Sequence, residues 1–303
     1  MKHLNFAASY GIALLVGTVV TLSSCSEEVM NPENEPVYAS VNVKVNEFSV
    51  SMEDFPSTRA AESPADYTAV GAITLAFYDS NGVEVEKTTQ YRSELSDVTT
   101  FGQFSFTLPI GNYTLVALAY KYLDGDVFTL TSPTSAVYTS ETPRETFCAT
   151  QAVTITSAAA LDLSLTLYHV NTWLAVKSTD KCPVGAAKVR TTYAAAGKGF
   201  NPTTGLATDN NGFSVENAIA ESVGSTININ SCAFLSSDEQ AMNITLQVLD
   251  DDDNVLIAKS VENVPLKRNR VTILKGQLFT PSSASAASFT LETSRIQSIT
   301  VEF

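Results

Sequence analysis

Phe104-Ser105-Phe106-Thr107-Leu108-Pro109-Ile110-Gly111-Asn112-Tyr113-Thr114-Leu115-Val116 is the stretch on which the fold is decided. Phe104, Phe106 and Leu108 alternate with Ser105 and Thr107, the period of two that puts apolar side chains on one face of a strand. Pro109-Ile110-Gly111-Asn112 breaks the run with turn-favouring residues, and Tyr113 and Leu115 restart it on one face. Two strands joined as a hairpin are the expectation. Toward the N-terminus, Ala72 to Tyr78 reaches Asp79-Ser80-Asn81-Gly82 and returns through Val83 to Val85; Asn-Gly between alternating runs marks a second hairpin. Earlier still, in 37–50, Val41, Val43 and Val45 alternate with Asn42, Lys44 and Asn46; the phase changes at Glu47, and Phe48 and Val50 carry the pattern on. Toward the C-terminus, 152–155 and 161–170 supply further strands, with Leu161, Leu163, Leu165 and Leu167 alternating with Asp162, Ser164 and Thr166.

The pattern then comes round again. Asn243-Ile244-Thr245-Leu246-Gln247-Val248-Leu249, an acidic turn and Val255-Leu256-Ile257 echo the 72–85 hairpin. Val264 to Leu274, with Arg268-Asn269-Arg270 at its turn, echoes the Pro109–Tyr113 unit. An all-β chain of two tandem β-sandwich domains, 37–168 and 169–303, fits both the length of 303 residues and the echo. The stretch 194–212, rich in Gly and Asn, reads as a long loop, and the single Trp173 as core packing at the start of the second domain. The Leu108-Pro109-x-Gly111-x-Tyr113-x-Leu115 unit resembles a hairpin of transthyretin-like sandwiches.

Composition narrows the function. The 18 Lys plus Arg stand against 32 Asp plus Glu, a formal charge of −14 that repels phosphate backbones, so no nucleic-acid partner is expected. Two histidines, His3 and His169, are too few for a triad or a zinc site. Neither a Gly-rich phosphate loop nor a catalytic constellation is found, and the expectation is no enzyme, no cofactor and no metal. Asp250, Asp252 and Asn254 alternate as calcium ligands would, yet Val255 and Val261 stand where an EF-hand loop needs Gly and Glu, which makes the segment an acidic turn. Tyr120 and Tyr122 could stack on a sugar, though alternate strand positions more often mean packing. Cys148, Cys182 and Cys232 allow one disulfide or three buried thiols, and spacing does not choose between them.

The N-terminus sets the compartment. Lys2 and His3 precede an apolar run over 6–22 that is too short for a membrane span and ends in Leu22-Ser23-Ser24-Cys25. This resembles the lipobox of a bacterial lipoprotein signal peptide, 1–24. It implies an acylated, palmitate-bearing Cys25, a tether over 25–36 and a cell outer membrane location; two or more chains give stable anchoring where one does not. Ser26-Glu27-Glu28 resembles the acidic tag that directs such lipoproteins to the outer face.

The order of parts resembles the fimbrillin superfamily, the lipoprotein subunits of Bacteroidales type V pili. Thr58-Arg59-Ala60 leading into Ala72–Tyr78, the run from Lys267 to Gly276, and the C-terminal tail carry the likeness. It implies proteolytic processing between Arg59 and Ala60, removal of the 37–50 strand, and filling of the groove by a donor strand lent by a neighbouring subunit. The donor would be 288–303, with Phe289 and Leu291 on one face and Ile299, Val301 and Phe303 likewise. Those five side chains, at ~1.5–3 kcal/mol each, would contribute about 10 kcal/mol of burial. Other fimbrial subunits, the outer membrane and a host or bacterial surface ligand are the implied partners of a cell-adhesion fimbrium. Stalk, anchor and tip roles stay open. The alternative is a monomeric surface lipoprotein that binds glycan through one sandwich face.

Overall fold

The computed structural model describes residues 36–49, 62–123, 128–138, 142–280 and 289–295. β1 (Tyr38–Ser49) follows its alternation: Ala39, Val41, Val43 and Val45 are buried, and the residues between them are exposed. A register shift between Val45 and Glu47 then turns Phe48 onto the buried face. The expected phase change is therefore a β-bulge, one extra residue that re-aims the remainder of the strand. β2 (Ala72–Tyr78) and β3 (Glu84–Tyr91) form the expected hairpin. The Asp79 carboxylate accepts the amides of Asn81 and Val83 in its turn, and Gly82 takes the positive φ of 76°.

β4 (Gln103–Pro109) and β5 (Gly111–Tyr120) correct the hairpin expectation. β4 pairs with β1, whereas β5 pairs with β2 and with β8 (Thr146–Ile155). The physical reason lies in the inward side chains. Phe104, Phe106 and Leu108 enter from one layer, Tyr113 and Leu115 from the opposite one, all into a single core. The chain therefore arches across the sandwich at Pro109, which has no N–H to give a ladder, and the Tyr113 hydroxyl donates to the Pro109 carbonyl at 2.7 Å to close the corner.

β9 (Leu161–His169) completes the first sandwich. Its strands run in the order β3-β2-β5-β8-β9-β1-β4, but β8 and β9 meet only at Phe147–His169 and Cys148–Tyr168. The sheet thus folds over into two layers, β3-β2-β5-β8 and β9-β1-β4, facing each other across one core. β10 (Thr172–Ser178), β11 (Lys188–Tyr193), β14 (Phe213–Ala218), β15 (Asn228–Ala233), β16 (Glu239–Leu249), β17 (Val255–Lys267) and β18 (Arg270–Gly276) repeat the plan. In each set the first strand is parallel to the last and antiparallel to the fourth: β1 to β9 and β4, β10 to β18 and β15. The second pairs with the third and fifth, and the fifth with the sixth. By topology β16–β17 therefore corresponds to β5–β8, not to the 72–85 hairpin that the sequence echo suggests. A second core lies between β15-β10-β18 and β14-β11-β16-β17.

The insertions make the joint. β6 (Phe128–Ser132) and β7 (Ser135–Tyr138) come from the first half, β12 (Gly199–Asn201) and β13 (Leu206–Ala207) from the second. They form one sheet, β13-β12-β7-β6, so the expected loop over 194–212 holds two short strands. This sheet covers the outer face of β2 and β5, which is why every residue of β2 is buried: Ile73, Leu75 and Phe77 lie in one core, and Ala72, Ala76 and Tyr78 lie against Phe128, Tyr138, Phe200 and Phe234 in another. From Pro36 on, the described residues make one compact unit. Among the described residues there is no α-helix.

Candidate functional site

β1 is the strand whose loss would open the molecule. It is the middle strand of its layer, paired with β4 over Tyr38–Lys44 and with β9 over Val41–Ser49. Val41, Val43, Val45 and Phe48 are all at most 2% exposed, and Phe48 packs 5.0 Å from the ring of Phe147 and 5.6 Å from that of Tyr67. At ~1.5–3 kcal/mol per side chain, removing these four exposes about 6–12 kcal/mol of apolar burial, an upper bound. The Phe48 amide donates to the Glu62 carbonyl, so the chain leaves β1 and returns beside it. Arg59 and Ala60 fall between these points, outside the described residues, as does Cys25.

β19 (Phe289–Arg295) has no counterpart in the first sandwich and, unlike the inserted β6, β7, β12 and β13, extends a sandwich sheet at its edge. It lies antiparallel on the outer edge of β18, Gly276 opposite Phe289 and Arg270 opposite Arg295, within its own chain. Phe289, half-buried, packs against the second core, and Leu291 stands opposite Leu274 in the ladder. Ile299, Val301 and Phe303 lie outside the described residues. Twelve residues, 277–288, separate strands that a two-residue turn could join. The first of them are pinned. One Asp180 oxygen accepts the Leu278 amide at 2.8 Å; the other accepts the amides of Phe279 and Thr280 at 2.9 and 2.7 Å and the Thr280 hydroxyl at 2.9 Å. Partial burial pushes this carboxyl up, but the Thr280 hydroxyl and the three amides together hold it below the usual range. Nothing in the spelling of Ser178-Thr179-Asp180 announces this clamp, because its partners lie about a hundred residues on.

A buried polar group sits where the two halves meet. The Tyr67 hydroxyl donates to Glu145 at 2.6 Å, and His169 Nε2 lies 4.0 Å from the same carboxylate oxygen while accepting the Trp173 indole N–H at 3.4 Å. Burial lowers His169 to about 3, against a main-chain hydrogen bond at Asn171, so the ring is neutral; burial raises Glu145 against the Tyr67 hydrogen bond and the Lys121 charge. Its Nε2 is thus occupied by an indole, and His169 packs edge-on to Phe147. Asn171 ties the halves further: its side-chain oxygen accepts the Thr146 amide and its carbonyl the Asn269 amide.

The remaining candidates are structural in their contacts. Asp250 accepts the amides of Asp252 and Asn254, and Asp253 pairs with Lys188, as an acidic hairpin turn does. Among the described residues no three His, Cys, Asp or Glu gather as metal ligands. Tyr120 is buried among aromatics, and Tyr122 lies against Tyr91 at 4.7 Å. Trp173 is half-buried against Val271 and Ala175. Cys148, Cys182 and Cys232 are free and buried. Burial pushes all three thiols up, which disfavours the reactive thiolate.

Comparison with solved structures places the architecture. A candidate polysaccharide-binding protein (DUF1812) from Bacteroides thetaiotaomicron is 13% identical, with 86% of this chain and 99% of that chain covered at a TM-score of 0.51; it shares the β-sandwich fold. The fimbrial anchor protein Mfa2 from Porphyromonas gingivalis is 12% identical, with 78% and 90% covered at 0.45. A C-terminally truncated form of the tip fimbrial protein Mfa3 from the same organism is 11% identical, with 86% and 100% covered at 0.38. No curated protein sequence matches. A family profile does, over residues 37–294, and the chain belongs to that family, described as a family of unknown function (DUF6562).

Proposed function

We propose that this chain is a non-enzymatic structural subunit of a fimbria: a surface lipoprotein, acylated at Cys25 and held at the outer membrane, that joins kindred subunits by exchange of a β-strand. The observation that carries the reading is β19. It is an eighth strand appended to a complete seven-strand sandwich, at the edge of its sheet among the described residues, at the end of a connection far longer than its hairpin requires. A strand so placed leaves its own sheet by breaking one ladder and can pair with the edge of another copy, where main-chain hydrogen bonds give affinity and alternate side chains give register. Such a contact is head to tail and propagates. The lipobox-like Leu22-Ser23-Ser24-Cys25 and the Arg59–Ala60 pair supply the tether and the trigger.

Mass spectrometry of the cell-surface protein tests the reading. A stalk subunit begins at Ala60, and an anchor subunit retains β1 and an acylated Cys25. Deletion of 288–303 abolishes polymerisation in either case. The second reading, a monomeric glycan-binding surface lipoprotein, draws on the name of the thetaiotaomicron protein with the shared fold. It expects a monomer whose glycan binding survives that deletion.

A further inference from the structure

We infer that the two sandwiches are built to resist tension applied between the N-terminal tether and the C-terminal end of the chain, each holding its first and last strands as a parallel pair loaded in shear. This goes beyond subunit assembly to how a chain that retains β1 carries force; its use on a cell surface rests on the proposed tethering, and in a stalk subunit that begins at Ala60 only the second sandwich is loaded in this way.

The geometry comes from register. β1 begins beside the start of β9, Val41 opposite Leu161, and ends beside its end, Ser49 opposite Tyr168. Tension enters at Val37, ahead of β1, and leaves through His169, at the end of β9. These are opposite ends of a parallel pair, so the pull slides β1 along β9. The eight registered positions from Val41–Leu161 to Ser49–Tyr168 then strain together instead of opening one by one. β1 must slide against β4 as well, because it lies between the two. The second sandwich repeats the arrangement. Tension enters at Thr172 ahead of Trp173–Val271 and leaves after Ser178–Gly276, six registered positions away, with β15 on the other side of β10.

The exit of the second sandwich is reinforced. Asp180 lies two residues past the end of β10 and takes the amides of Leu278, Phe279 and Thr280, two residues and more past the end of β18. The Thr179 amide also donates to the Gly276 carbonyl at 2.8 Å. Tension on Thr280 therefore passes through the carboxylate into the covalent backbone of β10 before the β10–β18 ladder is loaded, and the buried Leu278 and Phe279 side chains hold the same point. Between the sandwiches, the Asn171 contacts and the mixed β7–β12 pairing keep the two shear axes from separating. β19 is the contrasting case. Its end, Arg295, lies beside Arg270, the same end at which β10 receives tension from Thr172, so a pull on the C-terminus opens its ladder pair by pair.

Single-molecule force spectroscopy tests this on the whole mature chain, with Cys25 replaced by a handle and the second handle at one of two places. With that handle after Phe303, β19 peels first at low force and the sandwiches unfold later at high force. With it on Ala159→Cys, an exposed position at the start of β9, the first sandwich is opened from one end. The native cysteines are buried, so the new thiol is labelled selectively. At equal loading rate the first sandwich, identified by its length increment, should rupture at about twofold higher force or more from the terminus than from residue 159, because forced unfolding reports the barrier along the pulled direction. Equal forces, or a stronger first sandwich when pulled from 159, overturn the inference. Asp180→Ala should lower the force of the second sandwich alone, and an unchanged second sandwich overturns the role of the clamp. A chain that never polymerises leaves both results intact, so this failure and that of the fimbrial reading are distinct.

Discussion

His169 shows how much one residue's environment decides. Its ring is wholly enclosed by Phe147, Trp173 and the Glu145 carboxyl, with Tyr67 and Lys121 acting on that carboxyl in turn. The folded ring, lowered to about 3, stays neutral where the unfolded ring, at about 6.5, takes a proton. Below pH ~6.5 the unfolded state therefore binds more protons, and the stability full above that pH is lost as pH falls toward 3. Glu145, raised in the fold, acts in the opposite sense, since its protonation relieves a buried charge as pH falls. Urea unfolding of the wild type between pH 6 and 4 should lose stability relative to His169→Gln by about 1.4 kcal/mol per pH unit, the amount one differential proton costs. Gln keeps an acceptor for the Trp173 indole, so parallel curves for the two proteins would show that His169 does not titrate between the two states. The sequence makes this site half legible. A lone usable His argues against a triad or a zinc site, but Glu145 and Tyr67 cannot be joined to it from spacing, since the three converge only through strand pairing.

Period-two alternation made most individual strands readable, β1 to its bulge at Glu47 included, because one buried face imposes it. What alternation does not encode is the partner of a strand. β4 and β5 look like a hairpin because their turn is short, yet both apolar faces cannot enter one core unless the chain crosses between layers. The same limit hid β12 and β13, whose pairing needs β7 from the other half of the chain. β1 is the element where this bears on function. Its one buried aromatic, Phe48, is 2% exposed and locked by two aromatic neighbours just past the bulge, so it fixes the C-terminal half of the strand. Phe48→Ala should cost about 3–5 kcal/mol, the range for deleting a buried aromatic, measured by chemical denaturation. If β1 is the strand removed during assembly, the same variant should release β1 more readily once the chain is cut between Ser49 and Glu62. A denaturation midpoint within error of wild type would mean that β1 contributes little to the first sandwich and that its removal is a small step.

Across the whole molecule, the seven-strand plan occurs twice, but the insertions fall at different places in it: β6–β7 after the fifth strand of the first set, β12–β13 after the second strand of the second. Had they been equivalent, a repeat search would have aligned them; being unequal, they are free to meet each other. Their sheet stacks Phe200 between Phe128 and Phe234, at 6.1 and 4.7 Å, over the outer face of β2 and β5, and Tyr138 joins from β7 with its hydroxyl on Thr146. An interface of this kind is a third core, largely aromatic and buried, and two sandwiches that share it unfold together as long as its free energy exceeds the difference between their own stabilities. Phe200 is the residue to remove, because it is fully buried and belongs to neither sandwich core. Phe200→Ala should remove about 3–5 kcal/mol from the shared core while leaving both sandwich cores intact. Scanning calorimetry should then resolve the single transition of the wild type into two, with the calorimetric enthalpy exceeding the van't Hoff value. A variant that melts once, at lower temperature, with the two enthalpies equal, would show that the sandwiches are coupled through Asn171 and the chain crossing at Val170 and not through the aromatic joint.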